Sequence, residues 1–180
     1  MANNRYSILI DITKNASKNT VYLFYKIDRA FSEINNIVDA HVSAKDSPLF
    51  NTELRIKHMR KELDFITNFL RETVEPINIL LEFCKDLRIT QYGEDNGLDE
   101  FYYHISSYIE YCCEHKRKVV HDTLETAYYI SYDKIDSCAD INDELKQELR
   151  HNLYITHAIG REFLNNILKP ISVISFQCID

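Results

Sequence analysis

The sequence predicts an all-α fold: an antiparallel bundle of four to five long helices with short β-prone ends that would form terminal β-strands. Three observations carry that expectation. The 180 residues hold only three Gly and three Pro, so breakers are rare and the elements should be few and long. Bulky side chains recur at three- and four-residue spacing through most of the chain, which lines one stripe of an α-helix. No repeat, low-complexity tract or linker divides the sequence, so one domain over residues 1–180 is the simplest account.

Taken in order, Arg5 to Thr13 is rich in β-branched residues, and Tyr6, Ile8, Ile10 and Ile12 alternate. This reads first as a short strand and second as a short helix. Asn15 to Asn19 is polar and turn-like, with Ser17 or Asn19 as an N-cap. The first helix is expected from Thr20 to about Ala44, on Val21, Phe24, Phe31, Ile34, Val38 and Val42. Ser47-Pro48 reads as an N-cap with Pro at the first helical position, opening a helix from Leu49 to about Leu87. Its stripe is Met59, Leu63, Ile66, Leu70, Val74, Ile77, Leu81 and Cys84. Pro76 lies inside it, removes a backbone donor and clashes with the preceding turn, so a kink or break is expected there.

Arg88 to Gly97 reads as a loop. Leu98 to Ile130 then holds no Gly or Pro and carries Phe101, Ile105, Tyr108, Cys112, Val119, Thr123 and Tyr128 on one stripe. It is the helix the other elements should cover, because a long amphipathic helix is marginal alone. Asp133 to Asp140 is a polar connection with Asp140 as a cap, and the last helix runs to about Lys169, before Pro170. Within it Gly160 marks a close helix contact. The tail, Ile171 to Asp180, is β-prone and would pair with Arg5 to Thr13.

The net charge is −7 and the pI is near 5.5, which argues against broad, unspecific nucleic-acid binding. The five cysteines, at 84, 112, 113, 138 and 178, are odd in number and match no secreted disulfide framework. No basic-then-apolar leader opens the chain, and no apolar run reaches the ~18 residues of a membrane span. The expectation is a cytoplasmic protein, off the membrane, with free thiols.

The stretch with most chemistry is Arg150-His151-Asn152-Leu153-Tyr154-Ile155-Thr156-His157. Arg150 and His157 are seven residues apart, so two helical turns put them on one face. An Arg that holds a phosphate and a His that moves a proton suffice for metal-free RNA cleavage through the 2′-hydroxyl. The placement resembles the HEPN family, all-helical domains that include many toxin and antiviral ribonucleases. The resemblance implies Arg150 as phosphate ligand, His157 as acid/base, His151 as an auxiliary group, and an active site formed across a dimer. The alternative for the same residues is structural: Arg150 paired with Glu144 or Glu148, and His157 an ordinary half-buried histidine.

Metal readings are incomplete. Glu148-Leu149-Arg150-His151 has the Glu-x-x-His spacing of di-iron bundles, but the second such motif is missing. Cys112 and His115 lack a second short-spaced pair for zinc. Cys112-Cys113 is no Cys-x-x-Cys. The run His115-Lys116-Arg117-Lys118 reads as a solvated face offset by nearby carboxylates. No metal or cofactor is therefore expected. The first expected function is a non-enzymatic interaction or regulatory protein acting through helix faces, with a protein partner or a second copy in a homodimer. The second is a HEPN-like metal-independent ribonuclease, with RNA as its partner.

Overall fold

The computed structural model describes residues 3–43, 51–85, 88–90, 96–175 and 177–179. The fold is all-α, built from four helical rods. Rod α1 is Asn3–Ser43 and α2 is Thr52–Lys85. Rod α3, residues 96–137, is α-helical over Asn96–Lys118, π-helical over Val119–Ala127 and α-helical again over Tyr128–Ser137. Rod α4, residues 143–172, joins Asp143–Phe163, a π turn at Leu164–Leu168 and Lys169–Ser172. Two three-residue strands, β1 (Arg88–Thr90) and β2 (Gln177–Ile179), pair in parallel.

The N-terminal strand and the turn after it are overturned, because one helix runs from Asn3 to Ser43. Its inward positions are Leu9, Thr13, Ala16, Thr20, Leu23, Ile27, Ala30, Ile34 and Ile37, alternating four and three residues apart. That is a heptad seam. Two of its members are threonines, which sit there at low cost because Thr13 gives its hydroxyl proton to the Leu9 carbonyl (2.7 Å) and Thr20 to the Ala16 carbonyl (2.8 Å). The tail cannot pair with residues that are helical.

Rod α2 answers with the same alternation: Thr52, Ile56, Met59, Leu63, Ile66, Leu70, Thr73, Ile77, Leu80 and Cys84. It starts behind Asn51, whose side chain accepts from the Leu54 amide at 2.9 Å. The expected Ser47-Pro48 cap lies outside the described residues. Helix α2 does not break at Pro76 but continues to Lys85.

The two rods run antiparallel, with Lys26 paired to Glu62 and Arg55 to Glu33 (2.6 Å) along one edge of the seam. These are the flanking charges that set orientation in a coiled coil. At the seam's end, His41 Nε2 donates to the Asp140 carbonyl (3.2 Å), so in the neutral ring Nδ1 accepts from Thr52 Oγ1 (2.8 Å). One imidazole thus ties α1 to the start of α2 and to the α3–α4 connection.

Rod α3 lies parallel to α1, as Lys14–Glu100 (3.4 Å) near one end and Asp39–Lys134 (2.6 Å) near the other fix. It begins at Asn96 and ends at Ser137, so it takes in residues expected as loop on both sides. Rod α4 runs antiparallel to α3 and is capped by Asn142 rather than Asp140, with Asn142 Oδ1 accepting from the Leu145 amide at 2.9 Å. Residues from all four rods form one core, with Phe31, Phe101, Tyr108 and Phe163 among the largest fully buried side chains. Because Thr20 spends its proton on Ala16, Tyr108 must be the donor in their 2.7 Å contact, which satisfies a phenol at 1% exposure.

At Gly160, α4 packs tightly against a side chain of α3. A Cβ there would stand 2.7 Å from Leu124 Cδ2 and 3.8 Å from Ile27 Cγ2. Alanine would gain about 1 kcal/mol of helix propensity against that clash, but a branched side chain has no such escape. Gly160→Val should lower stability by roughly 2 kcal/mol or more, read from the denaturant midpoint in chemical unfolding. An unchanged midpoint would mean that the rods do not meet at this glycine.

Candidate functional site

The site begins with a problem of helical period. Along α3 the buried residues Phe101, Ile105, Tyr108 and Cys112 alternate four and three apart. From Val119 onward the inward positions become Val119, Thr123, Ala127, Ser131 and Ile135, four apart every time, with Ala127 half-buried. In an α-helix each step of four drifts by about 40°, so this run would turn away from the core. A wider π turn carries it back, and Val119–Ala127 is π-helical. Rod α4 does the same. After Thr156 and Ile159 its stripe reads Phe163, Ile167 and Ile171, and Leu164–Leu168 is π-helical. That turn stands just before Pro170, whose ring would otherwise meet the carbonyl four residues back. The helix expected to stop at Lys169 therefore runs to Ser172.

Residues 120–129 of α3 and 157–169 of α4 flank an open cleft of about 400 Å³. Its apolar lining is Val120, Leu124 and Leu164, with Tyr129 beside them. Its polar groups are Glu125, His157, Arg161, Asn165 and Lys169.

His157 is half-buried, with its ring 4.4 Å from that of Tyr128. Burial, and then the Arg161 guanidinium one turn away, hold its pKa below the ordinary histidine value of 6.5. The Leu124 backbone opposes that shift. The neutral ring carries one N–H donor and one acceptor nitrogen.

Arg150 stands two turns away on the same stripe of α4. Its partner is neither Glu144 nor Glu148, as expected, but Asp136 on α3. Glu148 instead pairs with Arg60 of α2 at 3.0 Å. The Arg150 guanidinium also lies over the Tyr132 ring, 5.7 Å from its centre, and its Nε is buried without a hydrogen-bond partner. His151, one residue on, is exposed. Arg150 and His157 thus share a face but not a cavity.

The remaining candidates resolve locally. Among the described residues no group of three His, Cys, Asp or Glu could hold a metal ion. His115 stacks on Tyr111 with ring centres 3.9 Å apart and bonds to the Tyr111 carbonyl through Nδ1 (3.0 Å). Burial pushes the Cys112 thiol up to about 12 and the Cys84 thiol to about 11, so neither is a thiolate nucleophile at neutral pH. His121 is exposed and lies 3.4 Å from Glu125.

Residues missed by the motif search are Arg161, Lys169 and Tyr129. The signal for Arg161 was present: Arg150, Tyr154, His157 and Arg161 follow one another at steps of four, three and four. No protein-family model matches the chain, and no curated protein or solved structure is detectably similar to it.

The His157 shift has a consequence for stability. In the unfolded chain this histidine takes up its proton near pH 6.5, whereas in the folded chain it does so only at lower pH. The stabilisation is fully present above pH 6.5 and is lost as pH falls toward the folded value. His157→Gln should flatten the fall of Tm between about pH 7 and 5, measured by thermal unfolding across that range. A slope identical to wild type would place His157 in an environment like solvent.

Proposed function

We propose that the protein is a non-enzymatic interaction or regulatory module that works through its helix faces and self-associates as a homodimer. The observation that carries this reading is the tyrosine-rich face of α3 and α4. Tyr129 and Tyr154 are each 64% exposed and Tyr132 is 39% exposed. The rings of Tyr129 and Tyr132 are not loose. Tyr128 stacks on Tyr132 with centres 6.4 Å apart and meets Tyr129 edge-on at 5.4 Å, and Arg150 covers Tyr132. Tyr and Arg are the side chains most enriched among energetic anchors of interfaces. Rings already held by neighbours lose little freedom when a partner covers them.

Size-exclusion chromatography with light scattering tests this directly. Wild type should elute as a dimer, and Tyr132→Ser/Tyr154→Ser should elute as a folded monomer with an unchanged helical spectrum. A monomeric wild type, or a double variant that still dimerises, would sink the proposal.

A second reading is favoured by one observation, the neutral His157 with an acceptor nitrogen. In it the protein is a HEPN-like ribonuclease of toxin or antiviral defence type, without a metal. His157 takes the 2′-hydroxyl proton, Arg150 binds the phosphate once RNA displaces Asp136, and His151 assists. RNA cleavage in EDTA should then be lost, by a factor of ~100 or more, in both His157→Ala and Arg150→Ala. Equal cleavage by wild type and variants, or none by either, would leave the interaction reading alone.

A further inference from the structure

Three rods bring polar side chains to one level of the core, just beyond the π segment of α3. Contacts on either side fix that level. Rods α3 and α4 meet at Leu124 and Gly160, at Tyr128 and His157, and at Asp136 and Arg150. Ser131 on α3 and Asn152 on α4 fall between the last two of these pairs. Rod α1 brings Ile27 to Gly160 and Asp39 to Lys134, which puts Asn35 at the same height. Ser131 and Asn152 are each 0% exposed. Ser131 Oγ, Asn152 Oδ1, Asn152 Nδ2 and Asn35 Oδ1 are all buried without a hydrogen-bond partner in the protein. Elsewhere in the core such groups are met. Thr13, Thr20, Thr73 and Thr156 each give their proton to the carbonyl four residues back. Ser131 does not, and the carbonyl at that distance belongs to Ala127, the last residue of the π segment. A buried donor or acceptor left unmet gives up its hydration for nothing, and folded proteins meet such groups with protein or with ordered water.

We propose that this level is a binding site for a pair of water molecules that link α1, α3 and α4. The donors and acceptors balance. The first water accepts from Asn152 Nδ2 and donates to Asn35 Oδ1 and to the second water. The second accepts also from Ser131 Oγ and donates to Asn152 Oδ1. Each water then makes about three hydrogen bonds, as buried water does, and all four polar atoms are met. Room for them comes from small side chains. Ala127 and Ser131 occupy successive inward positions, and Ile135 fills the next one. A water takes about 30 Å³ of liquid volume, and a hollow of that scale stays dry when its lining is only hydrocarbon. The polar atoms therefore hold the water, and the small residues admit it. The site is independent of whether the tyrosine face dimerises and of any RNA chemistry.

Water itself is the probe, observed on the full-length ¹⁵N-labelled chain. In NOE and ROE spectra the Asn152 Nδ2 protons should show cross-peaks to the water line, with the opposite signs that mark bound rather than diffusing water. These cross-peaks should survive in Ser131→Ala, because they arise from water and not from exchange through the serine hydroxyl. Oxygen-17 relaxation dispersion, which counts long-lived waters, should show a smaller number in Asn152→Leu than in wild type, while the amide spectrum of the variant stays that of the folded protein. The wild-type cross-peaks test the idea even if that variant fails to fold. Absence of a water cross-peak at the Asn152 side chain would overturn the proposal. So would a cross-peak that disappears in Ser131→Ala, or a count of long-lived waters unchanged in folded Asn152→Leu.

Discussion

The seam between α1 and α2 is the constraint on which the other contacts depend. Both rods repeat their inward residues four and three apart for almost their whole length, Leu9 to Ile37 on one and Thr52 to Cys84 on the other. A repeat of 3.5 per turn keeps two helices in register as they wind about each other. The pair therefore acts as a straight template. Rod α1 then offers a second side to α3 and α4, with Phe31 buried and Phe24 edge-on to His115 at 5.1 Å. Each apolar side chain buried in this way contributes about 1.5–3 kcal/mol. The flanking ion pairs, being part-exposed, contribute orientation more than energy.

Rods α3 and α4 do not follow a strict heptad, and that difference places the cleft. Each must keep facing a template whose period it does not match, and each solves the mismatch with a π segment. The first widened turn packs against the straight part of α4, and the second against the straight part of α3. The cleft beside them is lined both by the outer side of core residues Leu124 and Leu164 and by exposed polar side chains.

How much of this could be read from the residues differs by element. The heptad of α2 and the stripe of the 98–130 stretch were legible because their inward residues are large and apolar. The segment from Arg5 to Asn19 was misread because its inward set includes Thr13 and Ala16, which a scan for bulky residues passes over. Ile8 and Ile12, exposed and half-buried in the helix, supplied the false alternation. Gly160 was legible as a close contact, since a buried glycine in a helix has few other uses. The partner of Arg150 was not, because Asp136 lies in a segment that polarity marks as a loop. Arg161 and Lys169 look like any exposed cation until the π turns bring them to one rim. The level of the core that holds Asn35, Ser131 and Asn152 was equally hidden. Each has a buried polar atom without a protein partner, and Asn152 has two.

A π segment is an α-helix carrying a residue too many, and that gives the paired widenings a historical sense. A single inserted residue in α3 would rotate everything beyond it by about 100°, turning Ser131 and Ile135 out of the core. Absorbed as a π turn, the same insertion leaves the downstream face where it was. The neighbouring rod carries its own extra residue at the adjoining level. Each helix tolerates the other's surplus, so deletion of one without the other would be harder for the fold to bear than loss of both.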